Sequence, residues 1–153
     1  MGQPVSIYTN ILKEGMSQLS KSNYYPYRHS AVVFKSSRIY GSGCNAIRSH
    51  GVHKRYCTYE HSLHAEQAAL IGLDWNKLKG CSILILRSNV NTVSQFHMAR
   101  PCPMCLQLIK HIKLSWCYYS DSDGTIVRER VRDMTDKYFK ELYISELLAA
   151  QNE

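Results

Sequence analysis

The sequence lacks a long hydrophobic run, since no apolar stretch approaches the roughly 18 residues that a membrane-spanning helix needs. The first six residues, MGQPVS, lack the basic and apolar segments of a secretory signal. Acidic residues are few, with 12 Asp and Glu against 19 Lys and Arg, a formal net charge of +7. We therefore expect a cytoplasmic protein in a reducing compartment, with no membrane partner, and a preference for anionic ligands.

Linkers, low-complexity tracts and internal repeats are also missing from the 153 residues. A hydrophobic fraction of 44% suits a globular protein, and the length suffices for one hydrophobic core. We expect a single domain over 1–153.

Hydrophobic spacing predicts an alternation of helices and strands. A four-residue turn at 121–124 is too short for a parallel crossover, so strands four and five should be antiparallel. The order predicts a three-layer α/β/α sandwich around a mixed five-stranded sheet. The predicted helices are 5–20, with Pro4 in its first turn, 64–73, 103–112 and 133–150; the predicted strands are 31–34, 39–44, 81–86, 115–120 and 125–131.

Glycines in the second predicted strand favour a position at the sheet edge. Gly41 and Gly43 would also let a ligand approach the backbone closely.

Two short stretches carry chemistry-bearing residues, SLHAE at 62–66 and RPCPMC at 100–105. Cys102 and Cys105 fall three residues apart on the first turn of a helix, so that both sulfurs face one side. With His64 they supply three zinc ligands, and Glu66 stays free beside them. Three protein ligands leave one tetrahedral position open, as in catalytic rather than structural zinc sites.

The pattern H-A-E followed by P-C-x-x-C resembles the zinc-binding signature of the cytidine and deoxycytidylate deaminase superfamily. Residues 30–34 and 41–45 look like the first hairpin of that family. The resemblance implies Zn²⁺ bound by His64, Cys102 and Cys105, with Glu66 as the acid and base that converts cytosine to uracil. It also implies a homo-oligomer.

Substrate contacts are predicted at Asn45, Ala65, Arg28 and Phe96, with further candidates beside them. The resemblance places Asn45 on the sugar or base and Ala65 beside the substrate. Arg28 is a phosphate candidate on composition alone, as are His29, Arg48, Lys54 and Arg55. Phe96, followed by His97, could cover the base, or it could be a core residue.

The polar segment 46–61 is long for a loop in a compact domain, which is typical of a functional loop. Its spacing permits a second zinc site formed by some of His50, His53, Cys57 and His61. The alternative is a solvated basic loop.

Three functions are compatible with these residues. The first is deamination of a free cytosine nucleoside or nucleotide. The second is deamination of cytosine or adenine in single-stranded DNA or RNA, which the positive charge and the tyrosine-rich segments would suit. The third is a non-catalytic zinc module, in which Cys57 or a nearby His would close the site. Antiparallel final strands resemble free-cytidine enzymes, whereas a His as first ligand resembles the deoxycytidylate and polynucleotide enzymes, so the substrate stays open.

Overall fold

The computed structural model describes residues 2–23, 27–47, 62–89 and 91–135. The α-helices in these ranges are α1 (Thr9–Lys21), α2 (Ala65–Leu70) and α3 (Pro103–Ile112), and short 3-10 helices cover Trp75–Lys77 and Val131–Asp133. The strands are β1 (Gln3–Pro4), β2 (Tyr27–Lys35), β3 (Arg38–Cys44), β4 (Ala46–Ile47), β5 (Ser62–Leu63), β6 (Ser82–Asn89), β7 (Thr92–Phe96), β8 (Trp116–Ser120) and β9 (Ile126–Arg130).

Seven strands form one mixed sheet in the order β1-β9-β8-β6-β2-β3, with β7 also paired to β6. Strands β6 and β8 run parallel, and the other pairs in this sheet are antiparallel. Strands β4 and β5 pair separately. The predicted sandwich with a mixed sheet is confirmed, as is the antiparallel pair β8–β9, but in the described residues the sheet has seven strands rather than five.

One added strand, β1, replaces the start of the first predicted helix. Pro4 pairs with Val127 at the sheet edge, where its missing N–H costs no ladder hydrogen bond. The N–H of Val5 donates to the carbonyl of Ile126 at 3.0 Å. Helix α1 therefore begins at Thr9 rather than at residue 5, and Tyr8 before it is 53% exposed.

The other added strand, β7, lies inside the predicted loop 88–99. Strand β6 continues to Asn89, and Ser88 pairs with Phe96 across the hairpin. Along the chain, β7 therefore lies between the central strand β6 and the P-C-x-x-C motif.

The two faces of the sheet bury different side chains of the same strands, because successive residues point to opposite sides. Ala31 and Val33 of β2 pack with helices α2 and α3, together with Ile83 and Ile85 of β6. The alternate residues pack under α1, among them Val32, Phe34, Leu84 and Leu86. Residues of β2 and β6 with odd numbers thus face α2 and α3.

Gly41 and Gly43 lie in the edge strand β3, as predicted, but they approach a helix rather than a ligand. A Cβ at Gly43 would lie 2.7 Å from the Cβ of Ala68 and 2.8 Å from its carbonyl carbon. A Cβ at Gly41 would lie 2.7 Å from the carbonyl oxygen of Ala69. The glycines therefore let α2 pack directly on β3.

Helix α2 ends at Leu70, earlier than predicted, and Gly72 follows with φ +82°. Asp133, predicted to cap a last helix, lies in a 3-10 helix. Residues 136–150 of that helix and the candidate second zinc ligands His50, His53, Cys57 and His61 lie outside the described residues. None of the described helices combines the length and hydropathy that crossing a membrane requires.

Replacing Gly43 with Ala should lower the free energy of unfolding by about 1–3 kcal/mol, because the new methyl group would collide with the backbone of α2. Urea denaturation measures this change, with Arg38→Ala on the exposed end of the same strand as the control. Equal stability of Gly43→Ala and the unchanged chain would contradict the packing described here.

Candidate active site

Helix α2 begins immediately after His64, which is its N-cap. The backbone N–H of His64 donates to Oε1 of Gln67 at 3.1 Å, and its carbonyl accepts from the N–H of Ala68 at 2.9 Å. Gln67 is fully buried, so its hydrogen bond to the backbone of His64 helps to fix the first turn. His64 and Glu66 are held at the helix start as a result.

Helix α3 presents the second motif in the same way. Cys102 is its N-cap, Pro103 occupies the first helical position, and Cys105 lies one turn on. Proline is tolerated there because its missing N–H would have no intrahelical acceptor. The helix N-terminus favours a thiolate over a thiol at both sulfurs.

The two helix starts bring three ligand atoms together. Nδ1 of His64 lies 3.6 Å from Sγ of Cys102 and 3.4 Å from Sγ of Cys105. All three atoms lie within 4.8 Å of one another. Zn–S bonds of about 2.3 Å and Zn–N bonds of about 2.0 Å place N and S about 3.5 Å apart at tetrahedral angles. The donor set and its spacing fit a zinc ion.

The charges of these groups are strongly coupled. The Cys105 thiol and the adjacent His64 hold the pKa of Cys102 at about 4. The neighbouring Cys102 sulfur and burial raise the pKa of Cys105 well above its usual value. The Cys102 sulfur also raises the pKa of His64. Without a cation the cluster favours one thiolate, whereas a divalent ion favours two.

Glu66 is buried beside this cluster and is 5% exposed. Burial raises the pKa of its carboxyl group, and the negative charge of Cys102 raises it further. A carboxylate in such surroundings holds and releases protons nearer to neutral pH than one in water.

A cavity of about 310 Å³ opens over Glu66 and His64. It reaches from the start of α2 across the sheet to the segment that precedes α3. Its described lining comprises His29, Asn45, Leu63, His64, Ala65, Glu66, Arg87, Met98, Ala99, Arg100 and Cys102. The predicted residues His64, Cys102, Glu66, Asn45 and Ala65 thus share one cavity, and Cys105 lies buried beneath it.

Asn45 is buried and forms several hydrogen bonds to the backbone around the cavity. Its Oδ1 accepts from the N–H of His29 at 2.9 Å and from the Ser22 hydroxyl at 2.6 Å. Its Nδ2 donates to the carbonyl of Tyr27 at 3.0 Å. Asn45 therefore fixes the first residues of β2 against the end of α1.

Two residues predicted to bind substrate lie elsewhere. Arg28 alternates with His29 on β2 and is absent from the described lining of the cavity. Phe96 packs with the apolar cluster under α1, on the far side of the sheet. Of the two readings for Phe96, the structure places it in the core.

Sequence reasoning missed Arg87, Arg100, Met98 and Leu63. Arg87 had a usable signal, since it continues the odd-numbered series Ile83 and Ile85 along the strand. Arg100 directly precedes the P-C-x-x-C motif. It forms an ion pair of 3.0 Å with Glu129, which also accepts a 2.6 Å hydrogen bond from the Tyr119 hydroxyl.

The sequence matches the family model of the cytidine and deoxycytidylate deaminase zinc-binding region over residues 12–121. The chain belongs to this family. Members of the cytidine and deoxycytidylate deaminases are zinc-dependent hydrolases. Among curated proteins, none matches the sequence at a significant level.

Two solved cytidine deaminase structures share the fold. A cytidine deaminase from Burkholderia pseudomallei superposes with a TM-score of 0.60 at 14% identity, covering 88% of this chain and 100% of the other. A cytidine deaminase variant from Mycobacterium tuberculosis superposes with a TM-score of 0.50 at 16% identity, covering 85% of this chain and 95% of the other. A dCMP deaminase from the cyanophage S-TIM5 superposes with a TM-score of 0.47 at 24% identity, covering 77% of this chain and 89% of the other.

Replacing Cys105 with Ser should remove about one equivalent of zinc per chain relative to the unchanged deaminase, because the site loses a thiolate ligand. Metal analysis after dialysis against a weak chelator measures the loss. Cys44→Ser, a cysteine outside the cluster, is the matched control and should retain the metal. Unchanged zinc content in Cys105→Ser would exclude this residue as a ligand.

Proposed function

We propose that the chain hydrolyses the amino group at C4 of cytosine in a free (deoxy)cytidine nucleoside or nucleotide, converting the base to uracil, which stays on its sugar, and releasing ammonia. One observation carries this proposal. The buried carboxylate of Glu66 and the three-donor cluster of His64, Cys102 and Cys105 meet at one cavity.

A zinc ion bound by the three donors would supply a Lewis acid that lowers the pKa of water toward about 7. Glu66 accepts a proton from the attacking water and passes it to ring N3. It then transfers the second water proton to the amino group at C4. A C–O bond forms at C4 and the C–N bond breaks, so water and cytosine become uracil and ammonia.

Two further groups orient the ring and sugar in this proposal. The backbone N–H of Ala65 lies in the first turn of α2, where N–H groups have no intrahelical acceptor. It can therefore donate a hydrogen bond to the carbonyl of the base. The Nδ2 of Asn45 has a second N–H besides the one given to Tyr27, and it can donate to the sugar.

A polynucleotide substrate is less well supported by the described surface. A basic groove of about 450 Å³ is lined by Lys110, Lys113, Arg130 and Arg132 together with Leu114, Ser115 and Val131. It lies at the start of β8, whereas the cavity lies beyond its end, where Ala99 donates to the carbonyl of Ser120. Binding of single-stranded nucleic acid in this groove would therefore not by itself place a base beside Glu66.

A non-catalytic zinc module requires a fourth protein ligand. Among the described residues, the metal-ligand cluster contains three side chains. Cys57, the candidate for closing the site, lies outside the described residues. Ammonia release by the zinc-loaded protein separates this alternative from the proposed enzyme.

Cytoplasmic location, homo-oligomeric assembly and a single domain over 1–153 stay predictions from the sequence. Sedimentation of the purified protein tests the second of these.

Replacing Glu66 with Gln should reduce ammonia release by about 100- to 10,000-fold, because the amide cannot shuttle protons. Ammonia is measured with cytidine, deoxycytidine, their monophosphates and a single-stranded oligonucleotide as substrates. Zinc content and the unfolding transition should stay close to those of the unchanged chain.

Glu14→Gln provides the matched control, since Glu14 is a carboxylate of α1 that bonds Gln18 and Ser42 away from the cavity. It should retain full activity. Substantial turnover by Glu66→Gln would rule out the role assigned to Glu66.

A further inference from the structure

Arg87 lines the cavity, and its positive charge takes no part in the deamination steps proposed for Glu66. It lies on β6, directly opposite His29 of β2 in the antiparallel register. Both residues have odd numbers and line the cavity on the side of α2 and α3. Its guanidinium carbon lies 4.1 Å from the centroid of the Tyr27 ring.

The guanidinium carbon of Arg87 lies over the Tyr27 ring, and this cation–π contact uses the ring face rather than the N–H donors. A cation over an aromatic face keeps its N–H groups at the edge, free to donate within the plane. Arg87 Nη1 makes a long contact of 3.5 Å to the carbonyl of Met98. Its Nε is buried and makes no hydrogen bond among the described residues. The edge of the group therefore retains unused donors.

The second arginine of the cavity is neutralised, whereas Arg87 is not. Arg100 pairs with Glu129 at 3.0 Å and also donates to the carbonyl of Thr135. Between the described residues, ion pairs within 4.0 Å are formed by Arg100 with Glu129 and by Arg132 with Asp133. Arg87 has no carboxylate partner there. A partly buried guanidinium with open donors favours a bidentate anion, such as a phosphate group.

His29 lines the cavity next to Arg87. It pairs with Arg87 through the strand register, and its ring is close enough to His64 for their charges to interact. Burial, followed by the charges of Arg87 and His64, lowers the pKa of His29 to about 4, so it is neutral at physiological pH. The carboxylate of Glu66 and the unpaired cation of Arg87 therefore lie within one cavity, which the His29 ring also lines.

We propose that Arg87 binds the phosphate of the substrate and thereby selects a cytosine nucleoside monophosphate over the nucleoside. This inference rests on the proposed function, since it names the substrate of the same cavity.

Kinetic comparison of nucleoside and monophosphate tests the proposal. The unchanged enzyme should show a kcat/KM at least about 10-fold higher for the monophosphate. Arg87→Met should lower that value by about 10- to 100-fold, in line with the loss of a charge-assisted bidentate contact. Its kcat/KM for the nucleoside should change by less than about 3-fold. Arg87→Lys, which keeps the charge but not the fork, should fall between the two.

Arg38→Met is the matched control. Arg38 also stacks on a tyrosine, with 4.9 Å from its guanidinium carbon to the ring centroid of Tyr40, but it lies at the exposed end of β3. Its removal deletes an arginine–tyrosine stack without touching the cavity, and both substrates should react as before.

Binding of the reaction products gives a readout besides turnover. Calorimetry should show tighter binding of deoxyuridine monophosphate than of deoxyuridine, and Arg87→Met should abolish the difference. The proposal is overturned if the unchanged enzyme treats nucleoside and monophosphate alike, or if Arg87→Met weakens both equally. If no cytosine compound is deaminated but the product preference persists and depends on Arg87, the proposed function fails while the anion site stands.

Discussion

The site depends on the approach of two helix N-termini at one end of the sheet. Helix α2 reaches its position because β3 presents glycine to it, with no side chain at Gly43 to hold Ala68 away. Helix α3 connects to β8, which runs parallel to the central strand β6, so the chain must return across the same face of the sheet. These two constraints place His64 within 3.6 Å of Cys102.

This convergence concentrates polar groups in the interior at an electrostatic cost. Two thiols, an imidazole and a carboxylate lie beside the apolar core, and Cys105 and Glu66 are almost fully buried. Burial raises the pKa of Glu66, since there is little water to solvate its charge. A divalent cation offsets the charge of the thiolates, so metal binding and the stability of this corner of the fold are linked.

The sequence specified the local parts of this arrangement better than the long-range parts. The H-A-E and P-C-x-x-C spacings predicted that the three donors and Glu66 lie together, as they do in the structure, because each motif lies within one helical turn. The tight turn at 121–124 correctly indicated the antiparallel pair β8–β9. Pro4 was misassigned because its pairing partner, Val127, is distant in sequence. Arg87 was missed because its place in the cavity depends on the register of β6 against β2. Arg100 was missed because its position depends on a contact to Glu129, which is distant in sequence.

The positions of the positive charges say more about binding than the net charge does. Several arginines lie over aromatic rings, including Arg38 over Tyr40 and both Arg128 and Arg130 over Trp116. The ring quadrupole stabilises the guanidinium in such a stack, so the arginine needs no carboxylate partner. The stack of Arg87 on Tyr27 differs because it borders the cavity that contains Glu66. The position of one cation, more than the total of +7, therefore bears on which substrate the cavity accepts.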